Sequence, residues 1–169
     1  MKNVSRRNFL KTLGLGGGMA AGAAVLAACG GGGAAPAAPA GAPAAPVTLD
    51  IGTKGDTLEY DKTALDASAG SKITVNLKNN SAPASNLLHN WALLKAGAAI
   101  DAVANDGIAA GDANNYIKAG DDRVLAHVKL VKGGETGSVT FDAPAAGVYD
   151  YLCTFPGHNV LMRGKLTIK

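Results

Sequence analysis

The sequence predicts an all-β fold, a two-sheet antiparallel sandwich with a short helical flap. Three observations predict it. Apolar and polar residues alternate with period two across residues 47–53, 72–78, 138–142 and 165–169, the pattern of strands that turn one face to a core. Turn-forming clusters separate such runs: Ala69-Gly70, Asn79-Asn80-Ser81, Lys132-Gly133-Gly134 and Ala146-Gly147. About seven or eight short strands then fit within about 120 residues, the density of a sandwich.

Taken in order, the first 28 residues stand outside that fold. Lys2, Arg6, Arg7 and Lys11 precede an apolar, Gly/Ala-rich run, the layout of an export signal. The run is too short and too rich in glycine for a permanent transmembrane helix. Ser5-Arg6-Arg7-Asn8-Phe9-Leu10-Lys11 resembles a twin-arginine export address. Leu26-Ala27-Ala28-Cys29 resembles a lipobox, which implies that Cys29 becomes the acylated first residue of the mature chain. The expected location is therefore the outer face of the cytoplasmic membrane, held by lipid.

Charge agrees with this division. The whole chain has 16 Lys+Arg against 13 Asp+Glu, a formal charge of +3. Four of the basic residues and none of the acidic ones lie in 1–28, so 29–169 holds 12 against 13, a charge of −1. The basic excess belongs to the export signal, and no nucleic-acid partner is expected. Residues 29–46 form a Gly/Ala/Pro tether after Cys29. Such a segment has too little apolar surface to offset ordering, and as a coil it spans about 20–25 Å.

Residues 47–169 form the folded domain. Besides the alternating runs, 87–95, 123–129 and 148–153 read as strands. The stretch 97–122 lacks a strand signal and is rich in Ala, Asp, Asn and Gly. It reads as an excursion outside the sandwich, with a short helix over 98–105.

The chemistry gathers near the C-terminus. Two Cys exclude a disulfide-rich scaffold and a four-thiolate zinc site. Cys153 is the lone thiol of the folded domain and ends the strand 148–153. It opens Cys153-Thr-Phe-Pro-Gly-His158-Asn-Val-Leu-Met162, in which Pro156-Gly157 supplies a turn that folds His158 back toward Cys153. Thiolate and thioether suit Cu(I), and imidazole accepts Cu(II). Two His, one Cys and a weak axial Met form the blue-copper set, whereas zinc almost never takes a thioether. The second imidazole is His89 or His127. His89, at a strand start beside Trp91, is preferred over His127, which sits near Asp121, Asp122 and Arg123. Each residue alone is unremarkable as core; their combination points to a metal.

The run 151–169 resembles the C-terminus of the azurins, including the Cys-x4-His-x3-Met spacing. His89-Asn90-Trp91, residues 121–130 and residues 138–142 are also azurin-like. With its anchor and tether, the whole chain is similar to the auracyanins, membrane-associated azurin relatives of phototrophic bacteria. The resemblance implies a cupredoxin-like Greek-key sandwich with one type 1 copper ion. It implies His89, Cys153 and His158 as equatorial ligands and Met162 as the axial ligand. Asn90 and Thr154 would surround the Cys sulfur, and Trp91 would belong to the core. Leu88 stands where azurins carry a Gly whose carbonyl approaches the metal, so a five-coordinate site is in doubt.

The implied role is that of a monomeric one-electron carrier, not an enzyme. Its implied partners are a membrane quinol-oxidising complex and a cytochrome, with respiratory partners equally compatible. The implied contact surface is an apolar patch at His158 rimmed by Val160, Leu161 and Pro156. Two alternatives stand beside it. A copper-enzyme relative needs a second His-rich site, for which only His127 is spare. A copper carrier or storage protein is typically Met- or Cys-rich, and Met1, Met19 and Met162 are the only methionines.

Overall fold

The computed structural model describes residues 44–169. The expected export signal (1–28), the lipidated Cys29 and the tether as far as residue 43 lie outside the described residues. Among the described residues no helix is long and apolar enough to cross a membrane.

Among the described residues, eight strands form two sheets: β1 (Val47–Gly52), β2 (Ala64–Ala67), β3 (Lys72–Lys78), β4 (His89–Leu94), β5 (Val124–Val131), β6 (Thr136–Asp142), β7 (Gly147–Leu152) and β8 (Arg163–Ile168). One helix, α1 (Ile100–Ala110), lies between β4 and β5. The smaller sheet has the order β1-β3-β6 and the larger β2-β8-β7-β4-β5. Most neighbours run antiparallel, as expected. Two pairs, β1 with β3 and β2 with β8, run parallel. Parallel neighbours need a crossover rather than a hairpin. The chain leaves β1 for β2 in the other sheet before it returns to β3, and this supplies one.

Alternation in the sequence becomes alternation in burial. In β3, Ile73, Val75 and Leu77 are fully buried while Lys72 and Lys78 are exposed. Between the sheets lies a core that includes Trp91, Tyr60, Tyr151, Leu166 and Met162. β4 departs from alternation because all six of its residues are buried. Trp91 and Leu93 face the inter-sheet core, and Ala92 and Leu94 face a second cluster with Val103, Ala104, Ile117 and Leu152. That cluster is the underside of α1, so the flap covers the outer face of the larger sheet.

Two elements differ from expectation. β2 was not read as a strand, because Ala64-Leu-Asp-Ala67 alternates over only four residues. α1 begins later than expected and runs on to Ala110. Asn105, Asp106 and Gly107 read as punctuation, yet Val103, Ala104 and Gly107 are buried against the domain. That burial overrides the weak local propensity. Arg123 closes the flap with ion pairs to Asp121 at 2.6 Å and Asp106 at 2.5 Å.

Candidate metal centre

The centre is assembled from one strand start and one loop. β4 contributes His89 at a β-bulge: His89 pairs with Val131 and Trp91 with Val128, so Asn90 alone faces two residues of β5. Bulges of this kind re-aim backbone and side chains next to functional sites.

The loop from Cys153 to Met162 is closed by its own backbone. The Cys153 N–H donates to the Met162 carbonyl at 2.9 Å, and the Met162 N–H donates to the His158 carbonyl at 2.8 Å. The His158 N–H donates to the Phe155 carbonyl at 3.0 Å. Pro156 and Gly157, with Gly157 at φ 81° and ψ −11°, complete a type II turn in which the left-handed position requires glycine. The expected fold-back of His158 toward Cys153 is therefore present, with Cys153 Sγ 3.6 Å from His158 Nδ1.

His89, Cys153 and His158 offer donor atoms that all lie within 4.8 Å of one another. His89 and Cys153 are fully buried, and His158 is 5% exposed. The two imidazole rings are 4.9 Å apart, and Phe155 packs on His158 at 4.6 Å. Both ring nitrogens of His89 are buried without a hydrogen-bond partner. Buried polar atoms normally find partners, so these orphaned nitrogens and the adjacent thiol fit a metal ion. Met162 is fully buried and tied through its backbone to both Cys153 and His158.

Electrostatics follow burial. Desolvation pushes the Cys153 thiol up to about 11, opposed by the backbone amides of Asn90 and Phe155. Desolvation, then the neighbouring His158, lowers His89 to about 4. His158 is lowered by desolvation as well. At neutral pH the pocket thus presents two neutral imidazoles and a protonated thiol, and metal uptake releases the thiol proton.

The family model for copper-binding proteins of the plastocyanin/azurin family matches residues 47–169. The chain belongs to the plastocyanin/azurin family. Copper is accordingly its cofactor, and its sandwich is a cupredoxin fold. Auracyanin-A of Chloroflexus aurantiacus is 51% identical over 124 residues, spanning 73% of this chain and 75% of that protein. Azurin of Bordetella pertussis is 50% identical over 131 residues, spanning 74% and 85%. Among solved structures, auracyanin A of Chloroflexus aurantiacus superposes with a TM-score of 0.69 at 50% identity, covering 73% of this chain and 99% of that one. The dithionite-reduced auracyanin of Roseiflexus castenholzii gives 0.66 at 34% identity, covering 72% and 96%.

The other sequence-selected residues of this cupredoxin lie on or just before β4, on β5 and along the 153–162 loop. The Asn90 side chain accepts the Thr154 N–H at 2.8 Å and donates to Thr154 Oγ1 at 2.7 Å, which locks β4 to the start of the loop. Trp91 is fully buried in the core against Tyr151 and Phe141. Leu88 is half-buried just before β4. His127 is half-buried on β5, opposite Ala92, and is not part of the donor group. Val160 and Leu161 are each 62% exposed beside His158, while Pro156 is half-buried.

Sequence reasoning missed Tyr60 and Asn115. The Tyr60 hydroxyl donates to the Asn90 carbonyl at 2.6 Å. The Asn115 carbonyl accepts from Asn90 Nδ2 at 2.7 Å, and Asn115 Oδ1 accepts the Leu130 N–H at 3.1 Å. Both lie far from the loop in sequence, and no spacing rule marks them. Asn115 sits at φ 57°, a left-handed conformation that asparagine tolerates, and this was the one local hint.

Proposed function

We propose that this protein is a monomeric one-electron carrier that shuttles between membrane redox complexes. The observation that carries this reading is the buried His89–Cys153–His158 group, with His158 lying just beneath a small exposed apolar patch. His89, Cys153, His158 and Met162 would hold copper there, and the bound ion would supply a Cu(I)/Cu(II) couple.

The chain's own residues do the rest. Backbone bonds within 153–162 and the Asn90–Thr154 pair hold the donors in one arrangement, so little rearrangement opposes a change of charge. Burial of His89 and Cys153, and the packing of Phe155 on His158, shield the donors from solvent. The amides of Asn90 and Phe155 steady the sulfur and tune its electron density. Leu88, half-buried immediately before His89, would set the spacing between that stretch of backbone and a bound ion. Val160 and Leu161 give a partner an apolar contact over His158, and transient redox encounters need only small interfaces.

Export by the 1–28 signal, acylation at Cys29 and the 29–46 tether would keep the domain at the outer face of the cytoplasmic membrane. The partners there are a quinol-oxidising complex as donor and a cytochrome as acceptor. The similarity to auracyanins, two of them from photosynthetic bacteria, supports that placement. The decisive experiment is the optical and paramagnetic spectrum of the copper-loaded protein with its midpoint potential. An intense visible thiolate-to-copper band, lost in Cys153→Ser, is expected together with a reversible one-electron wave. A colourless copper form refutes the reading, and copper release on reduction points to a copper carrier instead.

A further inference from the structure

The bulge at Asn90 disturbs the β4–β5 ladder, and two backbone groups at the disturbance find partners outside the sheet. The Leu130 N–H donates to Asn115 Oδ1. The Asn90 carbonyl accepts the hydroxyl of Tyr60, which is only 2% exposed and comes from the segment between β1 and β2. Tyr60 is itself fixed by an edge-on contact with Tyr151 at 5.8 Å. Asn90 is therefore gripped at three points: its carbonyl by Tyr60, and its side chain by Thr154 and by the Asn115 carbonyl. Its remaining backbone group, the N–H, is one of the two amides that counter the rise of the Cys153 thiol on burial.

We propose that Tyr60 is a positioning residue for the metal centre: its buried hydroxyl fixes the Asn90 peptide at the bulge and so holds the Asn90 amide against the Cys153 sulfur. Asn115 does the same from the other side of the bulge. An amide donor on a thiolate withdraws electron density from it and favours the reduced metal. Loosening Asn90 therefore lowers the reduction potential. This inference rests on the electron-carrier reading, and its test separates the two.

The test compares Tyr60→Phe with Tyr149→Phe in the full chain. Each removes one hydroxyl and keeps the ring. Tyr149 donates to the Ala145 carbonyl at 2.7 Å, away from the bulge, so it reports what a merely structural hydroxyl does. In copper-loaded protein, Tyr60→Phe is expected to lower the potential and shift the thiolate-to-copper band. A tenfold change in the exchange equilibrium with a reference carrier reads as about 59 mV. In metal-free protein, the Asn90 amide is expected to exchange with solvent about tenfold faster, a loss of about 1.4 kcal/mol of local protection. Tyr149→Phe is expected to leave potential, band and Asn90 exchange in place. An unchanged potential and Asn90 exchange in Tyr60→Phe, or an equal shift in Tyr149→Phe, overturns the inference. Should Tyr60→Phe not fold, the metal-free wild-type protein decides: the Asn90 amide at the bulge is expected to resist exchange as strongly as that of Leu93 in β4, and an Asn90 amide that exchanges freely overturns the proposal. A wild-type protein without the band refutes the carrier reading, while the amide-exchange comparison still decides the role of Tyr60.

Discussion

Gly107→Ala sets helix propensity against packing, and the structure says which wins. Gly107 lies inside α1, where alanine is favoured over glycine by about 1 kcal/mol. Propensity alone therefore predicts a more stable protein. A Cβ at this position, however, would stand 2.2 Å from the Tyr116 carbonyl oxygen and 3.1 Å from its carbon. That oxygen cannot step aside freely. Tyr116 and Asn115 both sit at positive φ, 55° and 57°, and the Tyr116 N–H donates to Gly111 at 2.9 Å. The Asn115 carbonyl just before it is held by Asn90. Forcing a methyl into such a place costs about 1–3 kcal/mol. With the clash at backbone, the upper part of that range applies, and the net loss is about 1–2 kcal/mol after the gain in propensity.

Urea unfolding of the metal-free variant measures it. The midpoint is expected to fall with an unchanged slope, and the melting temperature to drop by about 4–8 °C. Because Thr154 lies 3.6 Å from the same Cβ position, the Asn90 and Thr154 amide resonances are expected to move as well. A variant more stable than wild type would refute the claim that α1 is seated by close contact with the 115–116 turn.

Two further outcomes test the centre and its surface. In the metal-free protein His89 titrates at about 4 instead of the usual 6.5, so between those values the unfolded chain binds the extra proton. The contribution of His89 to stability is then complete above about pH 6.5 and lost as pH falls toward 4. Urea melts at a series of pH values check this, and a flat profile for wild type that matches His89→Gln refutes it. Leu161→Glu places a charge on a side chain that is 62% exposed, so stability and the copper spectrum are expected to hold within about 0.5 kcal/mol and experimental error. Electron exchange between protein molecules, measured by line broadening, is expected to slow about tenfold, equivalent to about 1.4 kcal/mol of encounter energy; an unchanged rate places the docking surface elsewhere.

What was legible in the sequence follows from the range of the forces involved. β3 was legible residue by residue because Ile73, Val75 and Leu77 face one core at strict period two. β4 was legible as a strand but not as a doubly buried one, since its second face is covered only once α1 folds over it. The turn that brings His158 to Cys153 was legible because Pro156-Gly157 is a local signal. The choice of His89 over His127 rested on neighbours in sequence, and the structure brings His89 to the thiol. Tyr60 and Asn115 were not legible. Their bonds to Asn90 span 30 and 25 residues and exist only because a bulge leaves backbone groups to be satisfied.

The two halves of the centre are organised by different means. The 153–162 loop is closed by backbone hydrogen bonds that involve neither imidazole nor thiol. His89 stands on a strand start whose bulge is braced by Tyr60, Asn115 and Thr154. Hydrogen bonds position both halves, and the buried nitrogens of His89 beside the Cys153 thiol fit a metal ion. Metal binding then adds stability to the folded chain by mass action. A braced, buried donor set also explains where this protein departs most from regular sheet geometry. The bulge, the two left-handed residues and the flap all converge on Asn90, the residue that links strand, loop and sulfur.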